Sequence, residues 1–192
     1  MRLSTFPRQA IGASLALAGL LLGVSTTHAQ ATPQTELSRL KTAYLADLAD
    51  LENKLVALSE AFPADKYSWR PMEGVRSVSQ VLGLIAAENY LTLTRGFGGT
   101  VPAGLPSGQG ALEEFEGQTD RALLIKQVKE SFALAKQAIG AWTGDPAGPI
   151  RLWGEQRTLA GAFMTVMADQ HEHLGQLIAY ARMNKIVPPW SH

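Results

Sequence analysis

Asp169, His173 and Gln176 stand where a helix should be wholly apolar. The spacing of three and four through Leu159, Ala162, Val166, Asp169, His173, Gln176 and Tyr180 is that of one helical face. A carboxylate, an imidazole and an amide occupy successive turns of that face. Buried polar groups are costly unless they are paired or coordinate something, so this seam is where function is sought. A carboxylate and an imidazole four residues apart lie one turn apart on the same side, the arrangement from which a helix offers two ligands to one metal ion. Gln176, the next polar position, is a candidate to orient a bound ligand. His171 lies two residues from both Asp169 and His173 and points to roughly the opposite side, so it reads as a supporting or surface residue. The run His171-Glu172-His173 is not a His-Glu-x-x-His protease motif, because Gly175 stands where the second histidine belongs.

Other chemistry is thin. The chain has no cysteine, which removes thiolate nucleophiles, thiolate ligands and disulfides. No serine sits in a Gly-x-Ser-x-Gly elbow. The glycine-rich stretch from Gly96 to Gly110 holds no Lys-Ser or Lys-Thr pair and follows no strand, so it is not a phosphate-binding loop.

Four helical segments must position the seam. The first starts at Thr32-Pro33, a capping residue followed by a proline suited to the first turn, and continues to about Ala61. Leu37, Leu40, Tyr44, Leu48, Leu51, Leu55 and Leu58 form its apolar stripe, and Pro63 stops it. Residues 65–76 read as turns. Ser77-Val78-Ser79-Gln80 is a capping box that opens a second helix running to about Arg95. A long Gly- and Pro-rich connection follows to Gly117, of a length that is uncommon in compact domains and often marks a lid or a binding loop. A plain surface excursion is the other reading. The third helix runs from Thr119-Asp120 to Trp142, with Leu124, Val128, Ser131, Ala135 and Ile139 on one face. After a break that contains Trp153, expected to fold over the bundle end, the fourth runs from about Thr158 to Asn184. Pro188-Pro189 forbids its continuation. Few residues favour strands. The fold class expected is all-α, a four-helix bundle.

The first residues read as a leader. Arg2 and Arg8 precede an apolar run from Ala10 to Val24, and Thr27-His28-Ala29 offers the small residues of a cleavage site. Residues 1–29 are therefore expected to be a signal peptide, and residues 33–192 the folded domain. The expected location is secreted or periplasmic, with no stable membrane association after cleavage. The 17 basic and 17 acidic residues balance, and losing Arg2 and Arg8 leaves the remainder slightly acidic. That argues against a nucleic-acid surface.

Two motifs carry a resemblance. Tyr67-Ser68-Trp69-Arg70-Pro71 with Gly74-Val75-Arg76-Ser77-Val78 looks like the end of the first connection in DinB-like (DinB/YfiT-type) proteins, and Asn89-Tyr90 fits the same pattern. The run from His171 to Gln176, then Tyr180-Ala181-Arg182-Met183-Asn184 and Val187-Pro188-Pro189-Trp190, resembles the last helix and tail of that family. The resemblance implies an up-down-down-up bundle, often dimeric, with a divalent metal held by one histidine on helix two and two on helix four. It also implies kinship with metal-dependent transferases that use low-molecular-weight thiols. The chain departs from the pattern at the ligands. The helix-two histidine aligns with Leu84, the first helix-four histidine aligns with Asp169, and His173 alone is retained.

Packing as in the family would bring Glu88, one turn beyond Leu84, towards Asp169 and His173. The resemblance then leaves two arrangements open. In one, Glu88, Asp169 and His173 form a displaced triad for a divalent ion such as Zn, Ni, Fe or Mn, a donor set with positions left for substrate. In the other, Glu88 and Asp169 hydrogen-bond His173, with Arg95 or Arg182 balancing the charge. Three function classes correspond: a secreted metal-dependent transferase or hydrolase, a metal-free bundle that binds a small molecule, and a homodimerising structural protein.

Overall fold

The computed structural model describes residues 32–191; the leader assigned to residues 1–29 lies outside them. Helix α1 (Pro33–Ala61) is capped by the Thr32 hydroxyl, which accepts from the Thr35 amide at 3.3 Å. Its leucine stripe is buried from Leu37 to Leu58. Helix α2 (Val78–Ala87) has the expected capping box. The Ser77 hydroxyl accepts from the Gln80 amide at 3.3 Å, and the Gln80 side chain accepts from the Ser77 amide at 2.9 Å. It is not a regular α-helix throughout: Glu88–Thr94 continues it as a π-helical segment. Helix α4 (Arg121–Ala141) and helix α5 (Leu159–Met183) complete the bundle, capped by the side chains of Asp120 and Thr158. Among the described residues, no helix is long and apolar enough to cross a membrane.

The directions follow from paired residues. Glu52 and Glu60 of α1 meet Lys136 and Lys129 of α4, so these two run antiparallel. Asn89 meets Gln170, while the residue before α2's cap, Arg76, meets Tyr180, so α2 and α5 are antiparallel. Tyr90 bonds the Gln127 carbonyl at 3.3 Å, and Gly99 further along packs on Ala138, so α2 and α4 are parallel. The topology is up-down-down-up.

Parallel α2 and α4 explain the long Gly- and Pro-rich connection. The chain must return the length of the bundle, about 30 Å for a helix of this size, before α4 can start. The connection is not structureless: helix α3 (Ala111–Glu116) lies within it and packs on α2. Contact is close because α2 has a glycine there. A Cβ on Gly83 would stand 2.3 Å from the Phe115 carbonyl oxygen, a backbone atom that cannot rotate away. Gly83→Ala is expected to cost about 1–3 kcal/mol, the usual penalty for overpacking, read as a lowered urea midpoint.

The connection before α5 also departs from expectation. It holds a β-hairpin, β1 (Ile150–Leu152) and β2 (Glu155–Arg157), around a two-residue turn. Trp153 and Gly154 both take positive φ, 48° and 85°, as a primed hairpin turn demands. Trp153 is half exposed at the turn, and Leu152 supplies the cover instead.

The Tyr67 to Val78 motif works as a clasp. The Tyr67 hydroxyl donates to the Ser59 carbonyl at 2.8 Å, while the Val78 and Ser79 amides donate to Trp69 and Tyr67 carbonyls at 3.1 and 2.8 Å. Trp69 meets the Tyr180 ring edge-on at 5.3 Å. The end of α1, the start of α2 and the end of α5 are thereby tied together.

Candidate metal centre

Glu88 enters from the first turn of the π-helical segment, and Asp169 and His173 from successive turns of α5. Each offers one ligand atom, and these atoms all lie within 4.8 Å of one another. His173 Nε2 stands 3.4 Å from Asp169 Oδ2 and 4.0 Å from Glu88 Oε1. The Glu88 and His173 side chains are only 11 % and 14 % exposed. The sequence therefore named three residues that the fold does bring together.

The contacts of His173 with the two carboxylates are not hydrogen bonds. Glu88 Oε2 and Asp169 Oδ2 are buried with no hydrogen-bond partner, and so is the hydroxyl of Tyr44. In this arrangement neither carboxylate hydrogen-bonds His173. A carboxylate–imidazole network would satisfy its own oxygens, and this one leaves them orphaned at a typical cost of about 1–3 kcal/mol each. An unpartnered carboxylate oxygen 3.4 Å from an imidazole nitrogen, with a second carboxylate beside it, is a donor set suited to a divalent cation. The separations are small enough for side-chain rotation to reach the about 2.0–2.2 Å that such ions require.

Burial also shapes the electrostatics of the cluster. The Glu88 carboxyl is pushed up to about 9, first by burial, then by the nearby Asp169 carboxylate with which it can share a proton; Arg76 pulls it down. The arginine that Glu88 feels is thus Arg76, at the end of the clasp. Arg95 and Arg182, the two expected from sequence, are exposed. Burial, and after it the charge of Glu88, hold the Tyr44 hydroxyl protonated well above the ordinary phenol range. Its ring is pinned flat against Phe163, 4.0 Å away and 5° from parallel.

A buried polar ladder fixes the two ligand-bearing helices. Gln170 Nε2 donates to Asn89 Oδ1 at 2.8 Å, Asn89 Nδ2 donates to Ser131 Oγ at 3.2 Å, and Ser131 Oγ donates to the Val128 carbonyl at 2.8 Å. Gln170 and Asn89 are each next in sequence to a candidate ligand. The Thr94 hydroxyl donates to the Asn89 carbonyl at 2.8 Å, within the wider π turn, and such turns are frequent at functional sites. Gln170→Leu is expected to leave the Asn89 amide oxygen unpaired and to lower stability by about 1–3 kcal/mol, measured by chemical denaturation. It should also weaken metal binding, because Glu88 loses its fixed register against Asp169.

Gln176 does not join the three. Its amide donates to the Tyr180 hydroxyl at 2.7 Å, which donates to the Arg76 carbonyl at 3.0 Å. Gln176 lines a separate open cavity at the bundle end. His171 is exposed, as its spacing required. Tyr44, Arg76, Asn89 and Gln170 were not singled out as site residues by the sequence reading. The signal for Tyr44 was a polar-tipped ring in a leucine stripe; for Gln170 it was an amide flanked by site positions.

The fold and the site define a class: a four-helix bundle with a carboxylate–histidine cluster between its second and last long helices. The chain belongs to the DinB superfamily, whose family model matches residues 47–177. No curated protein matches the chain.

Proposed function

We propose that the protein is a divalent-metal-binding DinB-superfamily bundle in which Glu88, Asp169 and His173 hold the ion. The observation that carries this reading is the cluster itself: Glu88, Asp169 and His173 each offer a ligand atom within 4.8 Å of the others, and Glu88 Oε2 and Asp169 Oδ2 are buried without a partner. Two carboxylates and one imidazole are a harder donor set than three imidazoles, which shifts preference towards Mn2+ and Fe2+. When bound, such an ion supplies Lewis-acid polarisation and lowers the pKa of a bound water. The residues around it have their own tasks. Glu88 gives up its proton to become a ligand. Tyr44 keeps its proton and has a free hydroxyl to donate towards Glu88 or an oxygen held beside it. Phe163 keeps that phenol from rotating away. Leu84, one turn before Glu88, is buried and excludes water from that side. The leader-like residues, with Arg2, Arg8 and the run from Ala10 to Val24, support a site of action outside the cytoplasm.

Metal content tests the reading. Protein purified after growth in a mixed-metal medium is expected to carry near-stoichiometric divalent metal by mass spectrometry, and His173→Ala and Glu88→Gln are expected to lose it. A folded wild type that takes up no Mn, Fe, Zn or Ni, even on reconstitution, would sink it.

A further inference from the structure

The open cavity at the bundle end has a volume of about 520 Å3, and five polar side chains line it: Arg70, Arg76, Gln80, Glu116 and Gln176. Arg76 Nε donates to Glu116 Oε1 at 3.0 Å, so one arginine is already balanced and held in place. Arg70 is exposed, and among the described residues its side chain has no ion pair or hydrogen bond. Two guanidinium groups against one carboxylate leave a net charge of one positive unit. The backbone beneath is fixed, because the Gln176, Tyr180 and Arg76 carbonyl relay ties α5 to the clasp.

The cavity takes residues from the same two helices as the candidate metal centre. Gln176 is one helical turn from His173 on α5, and Gln80 is two turns from Glu88 along α2. Leu84 lies between Gln80 and Glu88 as an apolar step. Arg76 is near enough to act on Glu88.

We infer that this cavity is a binding site for the acid group of a small monocarboxylate, gripped by Arg70 and Arg76, with Val75 as the apolar residue of its lining. Guanidinium groups present paired donors that match a carboxylate. The single net positive charge suits a monoanion over a phosphate dianion. The cavity stands independently of any metal. Gln80 and Gln176 add neutral amide groups to the lining, and Glu116 holds Arg76 through its Nε, leaving the other guanidinium N–H groups without a hydrogen bond among the described residues.

Sodium hexanoate is the probe, titrated calorimetrically into the purified full chain, both chelator-treated and Mn-loaded. Saturable binding is expected in both forms. Arg70→Ala should weaken it about tenfold, the effect of losing one charge-assisted pair, and Arg70→Lys should restore part of the loss. Arg70 is exposed and unpaired, so its replacement leaves the fold intact; Arg76→Gln serves as the second variant. Hexan-1-ol, which has the same chain without the charge, should bind at least about tenfold more weakly. Absence of saturable hexanoate binding in both forms would overturn the inference. So would binding indifferent to Arg70→Ala and Arg76→Gln, or inorganic phosphate binding tighter than hexanoate. Arginine-dependent hexanoate binding in metal-free Glu88→Gln supports the cavity even if the metal assignment fails.

Discussion

Replacing Glu88 by glutamine will stabilise the metal-free protein at alkaline pH while removing its capacity for metal. The sign follows from the raised carboxyl. In the folded, metal-free chain Glu88 holds its proton up to about 9, against an ordinary value of 4.5. A carboxyl whose folded value is raised makes its full contribution to stability below the unfolded value. That contribution is lost as pH rises from 4.5 towards 9, at up to about 1.4 kcal/mol per unit. Glutamine keeps the shape and the neutral charge of the protonated form and has no proton to lose. Urea melts in chelator should show wild type losing stability from about pH 5 to about pH 8. Glu88→Gln should lose less, and end ahead by something on the order of 4 kcal/mol at about pH 8. Parallel pH profiles for the two proteins would mean that Glu88 is not held as the neutral acid.

The same proton sets the second large effect. Binding a cation requires the carboxylate form, so metal must displace the proton of Glu88, and affinity becomes pH-dependent. Below about 9 each unit of pH should strengthen Mn2+ binding by up to about tenfold through Glu88 alone. Titrations of Mn2+ at several pH values in two buffers of different ionisation enthalpy would show both the slope and the proton release. Glu88→Gln should remove the slope along with most of the affinity. His173→Ala should remove affinity but retain the raised Glu88 carboxyl, because burial and Asp169 cause it, and imidazole does not. Affinity that is flat between about pH 6 and about pH 8 would rule out a protonated Glu88 as a ligand.

These two effects oppose each other, and the opposition has a physical source. Two carboxylates brought together under 11 % and 31 % side-chain exposure repel each other and are poorly solvated. In the metal-free bundle the protonation of Glu88 relieves that repulsion. A bound cation reverses the balance, because it needs the charged forms and repays their desolvation.

How much of this was legible beforehand differs by feature. Helix existence came from apolar periodicity and caps: the leucine stripe of α1, the Ser77–Gln80 box and Pro63 all act locally, within a turn or two of the residues concerned. The pairing of Asp169 with His173 was equally local, since a separation of four residues on a helix fixes it. The resemblance supplied the partner helix and hence Glu88. The hairpin at Trp153 was hidden because its short strands carry no alternation long enough to read. Helix α3 was hidden among glycines, and its place is set by contact with Gly83, a distant residue.

Tertiary structure alone decided the rest. Whether Glu88 and Asp169 bond to His173 or stand orphaned depends on distances between different helices, and no spacing within one helix encodes those. The π turn that carries Glu88 and Asn89 is stabilised by contacts with α4 and α5. Tyr44 becomes a site residue only when α1 packs beside α5 and Phe163 pins its ring. The sequence by itself determined which faces are apolar and which polar residues interrupt them, because burial follows side-chain chemistry at helical spacing. The assembled bundle determined which of those polar residues meet, because that depends on helix direction and axial register, properties of packed pairs and not of any one segment.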